Sequence, residues 1–187
     1  MGQYYQPTSL TKNQHVHAHK FDNGLKLMEH SYFGNKFVEA VEKLLSPGGA
    51  WHKDIFAWVG DYSDLKTLND EGNVYGVSTE VEPSHITGRL PAVRYAVNWD
   101  LQEAVLISKD LPIQDEGDWK DNDGVSHHYI NRIHPLPLLT SAGNGQGGGD
   151  YEGTQMDMVG LWAGHSISVE SELPQGFTLI TPNFKEN

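Results

Sequence analysis

The sequence predicts a single α+β domain in which a mostly antiparallel sheet carries helices packed on one face. Three patterns favour this class: one stretch has helical spacing of apolar residues, several short runs are apolar or alternating, and turn-forming residues separate them. The 187 residues are enough for one hydrophobic core. Because no repeat or long linker divides them, residues 1–187 are expected to form one domain.

The first elements are expected to be a hairpin and a broken helix. Residues 4–10 and 14–21 flank a turn at 11–13. Residues 25–45 then show helical spacing, with a break at Gly34 and a suitable N-cap at Asn35. The spacing places four polar residues on the solvent side of this helix: Lys36, Glu39, Glu42 and Lys43.

The middle of the chain is predicted to contain one buried strand and one clear hairpin. Residues 54–59 are apolar almost throughout, which is typical of a strand buried on both faces. Residues 63–91 are expected to be irregular, with a short strand at 74–77. Residues 92–99 and 103–108 form the hairpin.

The last part is predicted to be a surface loop followed by short strands. Residues 109–127 are acidic with little that is apolar, which indicates a mobile loop. Residues 129–133 are expected to form a short strand that leads into a glycine-rich segment. Residues 166–170 and 177–181 are expected to form a final antiparallel pair.

The composition limits the partners and the compartment. The net charge of -12, from 13 basic and 25 acidic residues, opposes binding to phosphate backbones, so direct nucleic-acid binding is not expected. The absence of cysteine excludes disulfides and thiolate metal sites. No apolar run approaches the roughly 20 residues of a membrane helix, and the first residues lack the features of a signal peptide. We therefore expect a soluble cytoplasmic protein that does not enter a membrane.

The glycine-rich segment is the main candidate for a ligand site. Five glycines lie between Gly143 and Gly149, and such runs let backbone N–H groups approach a ligand closely. At least one of Gly147, Gly148 and Gly149 is predicted to have a positive φ. The segment lacks the Lys and Ser/Thr of a phosphate-binding P-loop, so a loop that only supports the fold stays open as an alternative. The candidate ligand-binding residues here are Asn144, Gly147, Gly148, Gly149, Asp150 and Tyr151.

Carboxylates and imidazoles next to apolar segments extend the candidate site. Asp61 follows a buried strand and His134 precedes two prolines, so both are expected at one end of the sheet, where Asp150 joins them. Glu29 and His30 are further candidates for acid–base chemistry. The alternative for each residue is a local turn or capping role.

A histidine-rich segment could bind a metal ion. His15, His17 and His19 would lie on one face of a strand, and two of them with a carboxylate could hold a divalent metal such as Zn²⁺. The alternative is an exposed polar strand face. No other cofactor is implied.

Five motifs resemble an uncharacterised family of small bacterial and phage proteins. They are MGQYY at 1–5, GLKLMEHS at 24–31, WVGDY at 58–62, HPLPLLT at 134–140 and GGGDYEG at 147–153. The resemblance covers most of the chain and implies a single compact unit without implying an activity. A home in phages would imply a role in host interaction, with a host protein as the partner.

Three functions are consistent with the sequence. The first is binding of a small polar or nucleotide-like ligand in a pocket near the glycine-rich segment. The second is metal-dependent hydrolysis by His and Asp groups. The third is inhibition of a nucleic-acid enzyme by an acidic surface that mimics nucleic acid.

Overall fold

A computed structural model describes residues 2–66, 73–143 and 149–187, and it confirms the α+β class. The strands in these ranges are β1 (Tyr5–Ser9), β2 (Gln14–His15), β3 (Ile55–Gly60), β4 (Thr79–Glu80), β5 (Arg94–Asn98), β6 (Glu103–Ile107), β7 (Asp115–Lys120), β8 (Ser126–Asn131), β9 (Ser141–Ala142), β10 (His165–Glu170) and β11 (Thr178–Ile180). The α-helices are α1 (Leu27–His30), α2 (Lys36–Leu45), α3 (Val74–Val77) and α4 (Pro135–Leu139). Short 3-10 helices span Ala18–Phe21, Pro83–His85 and Met156–Met158. Within the described ranges, no helix is long and apolar enough to cross a bilayer.

One mixed, mostly antiparallel sheet organises the chain. Its strand order is β11-β6-β5-β10-β3-β1-β2-β4, and β9 also pairs with β3. Strand β3 is central: β1 lies along one edge, whereas β10 and β9 share the other edge. Phe56 and Trp58 point into the larger core, and Ala57 and Val59 into a smaller core on the opposite face. The prediction of a strand buried on both faces is therefore confirmed.

Helix α2 supplies much of the larger core. Asn35 caps it as predicted, because its side chain accepts hydrogen bonds from the N–H groups of Phe37 and Val38. Gly34 has a φ of +82°, which allows the break before the helix. The predicted apolar side is buried, and each fully buried large side chain contributes about 1.5–3 kcal/mol. One-turn α3 instead packs against β3 in the smaller core.

The polar side of α2 holds one exception to the prediction. Glu42 was expected in solvent, yet its side chain is 0% exposed. It faces the buried Arg94 of β5, and both groups lie between the helix and the sheet. Helical spacing alone could not reveal this, because a carboxylate is buried only when a distant chain segment supplies its partner.

Three predicted elements or pairings differ in the structure. The second arm of the first hairpin ends at His15, because the chain then turns at His17 into a 3-10 helix. Residues 74–77 form helix α3, which Asn73 caps. The last two strands do not pair with each other: β10 pairs with β5 and β3, and β11 pairs in parallel with β6.

The acidic segment predicted as a mobile loop forms a ribbon instead. Strands β7 and β8 pair over six residues each, in a separate two-stranded sheet. Trp119 stacks on His127 with ring centroids 4.7 Å apart, and His127 also contacts Asp121. Such cross-strand contacts stabilise a ribbon whose side chains are largely exposed.

Candidate functional site

A cavity of about 230 Å³ lies beside the two described ends of the glycine-rich segment. Gly143 borders it at one end of the segment and Asp150 at the other. Leu27, Met156 and Val159 give the cavity apolar walls. Its remaining lining residues carry hydroxyl groups: Tyr5, Ser141 and Tyr151.

The sheet brings these residues together at the C-terminal end of β3. On one edge Tyr5 lies opposite Gly60, and on the other Ser141 lies opposite Trp58. Gly143 follows β9 directly, and a side chain there would overlap the Tyr5 hydroxyl. Glycine is therefore required at this position so that the hydroxyl can approach the backbone.

The Tyr5 hydroxyl is the polar centre of the cavity. It lies 3.0 Å from Gln3 Oε1, to which it donates a hydrogen bond. Burial raises the pKa of Tyr5, and so do the charge of Asp150, a hydrogen bond with Asp150 and the charge of Asp61. The phenol therefore stays neutral, and two carboxylates impose a negative potential on the cavity.

Asp61 and Asp150 thus both act on the Tyr5 hydroxyl. They are two of the three residues that were predicted to converge. Asp61 lies just after β3 and accepts a hydrogen bond from the Tyr4 N–H at 3.1 Å. Its backbone carbonyl accepts another from the Asn73 amide at 3.1 Å. These contacts hold Asp61 beside the cavity, although it is not one of the lining residues.

Tyr151 forms part of the cavity wall. It is 2% exposed, and its ring packs edge-on against Phe184 with centroids 5.5 Å apart. Its hydroxyl lies 2.7 Å from the Thr154 carbonyl oxygen and accepts a hydrogen bond from the Lys185 N–H at 2.9 Å. Tyr151 therefore ties the C-terminal segment to the cavity wall.

His134 does not contact these residues. The prediction treated Ile133 as the end of a sheet strand, but Ile133 forms only a bridge to Tyr32, and β8 belongs to the separate ribbon. His134 caps α4 by accepting a hydrogen bond from the Leu136 N–H through Nδ1. Its Nε2 lies 3.3 Å from Glu42 Oε1, so this nitrogen donates the proton to the carboxylate.

Glu42 links His134 to Arg94 in a buried chain of hydrogen bonds. Arg94 donates from Nε to Glu42 Oε1 at 2.7 Å and from Nη2 to Oε2 at 2.5 Å. Burial alone would raise the pKa of Glu42, but His134 and Arg94 together hold it below its usual value. The carboxylate therefore stays ionised, and the chain cross-links α2, β5 and α4.

His30 is a core residue, whereas Glu29 has a local structural contact. The Trp58 indole N–H donates to His30 Nε2 at 2.9 Å, and Nδ1 lies 3.1 Å from the Gly24 carbonyl oxygen. Burial lowers the pKa of His30 to about 4, against the opposing effects of Gly24 and Glu29. Glu29 accepts a hydrogen bond from the Lys26 N–H at 3.0 Å.

The three histidines predicted as metal ligands do not share a strand face. His15 ends β2 and its Nδ1 lies 2.9 Å from Ser78 Oγ. His17 caps the following 3-10 helix and packs edge-on against His19, with centroids 4.9 Å apart. Among the residues that the structure describes, no group of three or more His, Asp and Glu side chains could hold a metal.

The described end of the glycine-rich segment confirms one prediction. Gly149 has a φ of +89°, and a side chain there would overlap the stem of Lys26. Its carbonyl accepts a hydrogen bond from the Met28 N–H at 3.1 Å, which fixes this end against α1. Three other predicted residues, Asn144, Gly147 and Gly148, lie outside the described ranges.

Gly160 offers a test of the packing behind the cavity. Gly160 and Gly164 both have a φ of +78°, but a side-chain carbon at Gly160 would lie 2.6 Å from the Ser141 carbonyl oxygen. At Gly164 nothing lies within 4 Å. We expect Gly164→Ala to cost about 1–2 kcal/mol of unfolding free energy from the backbone alone. Gly160→Ala should cost roughly 1–3 kcal/mol more, because the wall at Ser141 must shift.

Urea denaturation of the two glycine variants checks this expectation. Because both glycines have the same φ, the cost of backbone strain is the same in both variants and cancels when their unfolding free energies are compared. Equal stabilities would contradict the close contact between Gly160 and Ser141.

Sequence reasoning missed Tyr5 and Ser141. Tyr5 falls in the predicted first strand, and no sequence pattern singles out Ser141. Strand β9 has two residues and pairs in parallel with a strand about 80 positions away in the chain. No periodic pattern can mark so short a strand.

Comparison with known proteins finds no protein-family model, curated protein or solved structure that matches the chain. The resemblance of its five motifs to small bacterial and phage proteins therefore stays a prediction.

Proposed function

We propose that this protein binds a small polar ligand, positively charged or neutral, in the cavity between Tyr5, Ser141 and Asp150. One observation carries the proposal: hydrogen-bonding groups and a carboxylate converge inside apolar walls beside the glycine-rich segment. This combination of an apolar lining with a few polar groups is typical of small-molecule sites. The cysteine-free composition is consistent with binding in the cytoplasm.

The size of the cavity indicates a small ligand. Its volume of about 230 Å³ is below the roughly 300–1,000 Å³ of sites for drug-sized molecules. A single amine, amino alcohol or polyol is therefore a better fit than a complete nucleotide. The apolar walls at Leu27, Met156 and Val159 would contact the carbon atoms of such a molecule.

The charge of the cavity sets the preferred ligand class. Asp150 and Asp61 both raise the pKa of Tyr5, so a ligand placed near that hydroxyl lies near two negative charges. An ammonium group would gain from this field, whereas a phosphate would be repelled. The expected ligand is therefore a small molecule that is a cation or a hydrogen-bond donor.

The other two functions have less support. A metal-dependent hydrolase requires a set of ligands, and the described residues contain no group of three that could form one. Mimicry of nucleic acid requires only an acidic surface, so it does not explain the cavity around Tyr5. Ligand binding accounts for the position of Tyr5, Gly143 and Asp150 together.

Equilibrium dialysis against a small-metabolite extract tests the proposal. The wild type should enrich at least one small polar compound, identified by mass spectrometry. Met156→Trp should lose this enrichment, because Met156 lines the cavity and is 50% exposed, so a larger ring there can fill the opening. Leu161→Trp is the matched control, since Leu161 is 47% exposed and does not line the cavity.

Two outcomes would count against the proposal. The first is that the wild type enriches nothing that Met156→Trp does not also enrich. The second is that Leu161→Trp loses the same compound, because the loss would then reflect general disturbance of the fold.

A further inference from the structure

A second pair of cavities lies along α2, away from the proposed ligand cavity. Their volumes are about 430 and 370 Å³, and they share Lys43, Gly88, Arg89 and Leu90. We call the combined feature the α2 groove. None of its lining residues belongs to the cavity around Tyr5.

The α2 groove concentrates positive charge on an acidic protein. The chain has 13 Lys and Arg residues and a net charge of -12. Four of those cations line the groove, namely Lys43, Arg89, Arg94 and Lys109. Two carboxylates, Glu39 and Asp110, also line it, so the balance within the groove is positive.

Three of the four cations are available to a ligand. Across the described ranges, no carboxylate lies within ion-pair distance of Lys43, Arg89 or Lys109. Arg94 is different, because Glu42 and the Pro91 carbonyl hold its guanidinium in place. Lys43, Arg89 and Lys109 line one cavity, and several cations around a cavity suit an anion with several oxygen atoms.

The groove also offers an apolar wall. Phe33, Leu90 and Val93 line it, and Val93 is 50% exposed. Both component cavities fall within the roughly 300–1,000 Å³ usual for small-molecule sites. The ligand should therefore combine an anionic group with an apolar or aromatic part.

We infer that the α2 groove binds a small organic phosphate, with the phosphate at Lys43, Arg89 and Lys109 and the organic part against the apolar wall. A long nucleic acid is a poor fit, because the net charge of -12 repels an extended polyanion. A single phosphate ester avoids most of that repulsion, since screening limits the effect of distant charges. This inference is independent of the ligand proposed for the cavity around Tyr5.

Calorimetric titration with adenosine 5′-monophosphate, adenosine and inorganic pyrophosphate tests this inference. The wild type should bind the monophosphate more tightly than adenosine, because only the monophosphate can contact the cations. Lys43→Gln combined with Arg89→Gln should weaken that binding by roughly tenfold or more. Pyrophosphate shows whether the phosphate group alone is sufficient.

The control variant combines Lys36→Gln with Lys120→Gln. Both residues are exposed, neither lines the groove, and the double change alters the net charge equally. It should leave the affinity nearly unchanged. Lys109→Gln, on the segment after β6, provides an independent third variant.

The inference is overturned if the control double variant weakens binding as much as the groove variant does. It is also overturned if adenosine binds as tightly as its monophosphate, or if the wild type binds neither monophosphate nor pyrophosphate at millimolar concentration. Thermal melts of each variant identify any loss of folding, and Lys109→Gln then decides the question.

Discussion

Replacing Arg94 with methionine is expected to lower the free energy of unfolding by about 3–5 kcal/mol. Arg94 and Glu42 are 4% and 0% exposed, and the change removes two hydrogen bonds from a buried carboxylate. Without the guanidinium, Glu42 must either stay charged in the core or take up a proton. A cost of this size would be a large share of the total stability of an ordinary domain, which is about 5–15 kcal/mol.

Glu42→Gln distinguishes the effect of the buried carboxylate charge from the effect of lost packing around Arg94. Glu42→Gln keeps an oxygen that can accept the His134 Nε2–H hydrogen bond but removes the carboxylate charge. The double variant Arg94→Met with Glu42→Gln should therefore be more stable than Arg94→Met alone. Arg132→Met is the control, because within the described ranges the Arg132 side chain donates to the Leu111 carbonyl and to no carboxylate.

Urea denaturation of these four variants gives the coupling energy between Arg94 and Glu42. A single Arg94→Met variant that is no less stable than Arg132→Met would contradict the buried ion pair. A double variant less stable than either single change would contradict the role given to the carboxylate charge.

Lowering the pH from 7 to 4 is expected to reduce stability by about 3 kcal/mol through His30 alone. The pKa of His30 is lowered by burial from 6.5 to about 4 in the folded protein. The unfolded chain therefore takes up a proton as the pH falls below about 6.5, whereas the folded chain does not until about pH 4. The contribution of His30 to the unfolding free energy is therefore fully present above about pH 6.5 and is lost as the pH falls toward 4.

The surroundings of His30 explain why it resists protonation. Trp58 donates to Nε2, Nδ1 faces the Gly24 carbonyl, and Phe37 packs edge-on at 5.0 Å. A protonated ring would lose the hydrogen bond from Trp58 and would carry a charge into the core. The charge of Glu29 only partly opposes these effects.

Chemical denaturation at several pH values between 4 and 7.5 checks this expectation. The wild-type unfolding free energy should change with pH more steeply than that of His30→Gln. The difference in slope corresponds to the uptake of one proton, at most about 1.4 kcal/mol per pH unit. His85→Gln is the control, since it makes the same substitution at an exposed histidine. A slope that is the same in wild type and His30→Gln would contradict the burial effect.

The local features of the fold were the ones that the sequence could predict. Asn35 and Gly34 mark the start of α2, and the predicted hairpin of residues 92–99 and 103–108 is the β5–β6 pair. Both depend on neighbours in the chain, so capping and turn chemistry are sufficient. Gly149 belongs to the same class, because its positive φ reflects a local backbone requirement.

The long-range features could not be predicted, for reasons that particular residues illustrate. The spacing puts Glu42 on the polar side of its helix. Its burial depends on two distant partners: Arg94, from a strand 52 positions later, and His134. Strand β11 joins β6 in parallel instead of the nearer β10, which no turn signal indicates. In the candidate site Asp150 and Tyr151 were predicted, but Tyr5 depends on pairing across β3.

The most direct test of the proposed cavity uses the methyl group of Met156 as a reporter. Met156 lines the cavity and Met158, in the same 3-10 helix, does not, so Met158 serves as an internal control. The measurement is NMR of ¹³C-methyl-methionine protein titrated with small amines, neutral polyols and phosphate esters. We predict that at least one amine or polyol shifts the Met156 signal and leaves the Met158 signal in place. Asp150→Asn should remove the preference for amines, and phosphate esters should not shift Met156. The proposal would be contradicted if no amine or polyol shifted Met156, or if phosphate esters shifted it as strongly as amines.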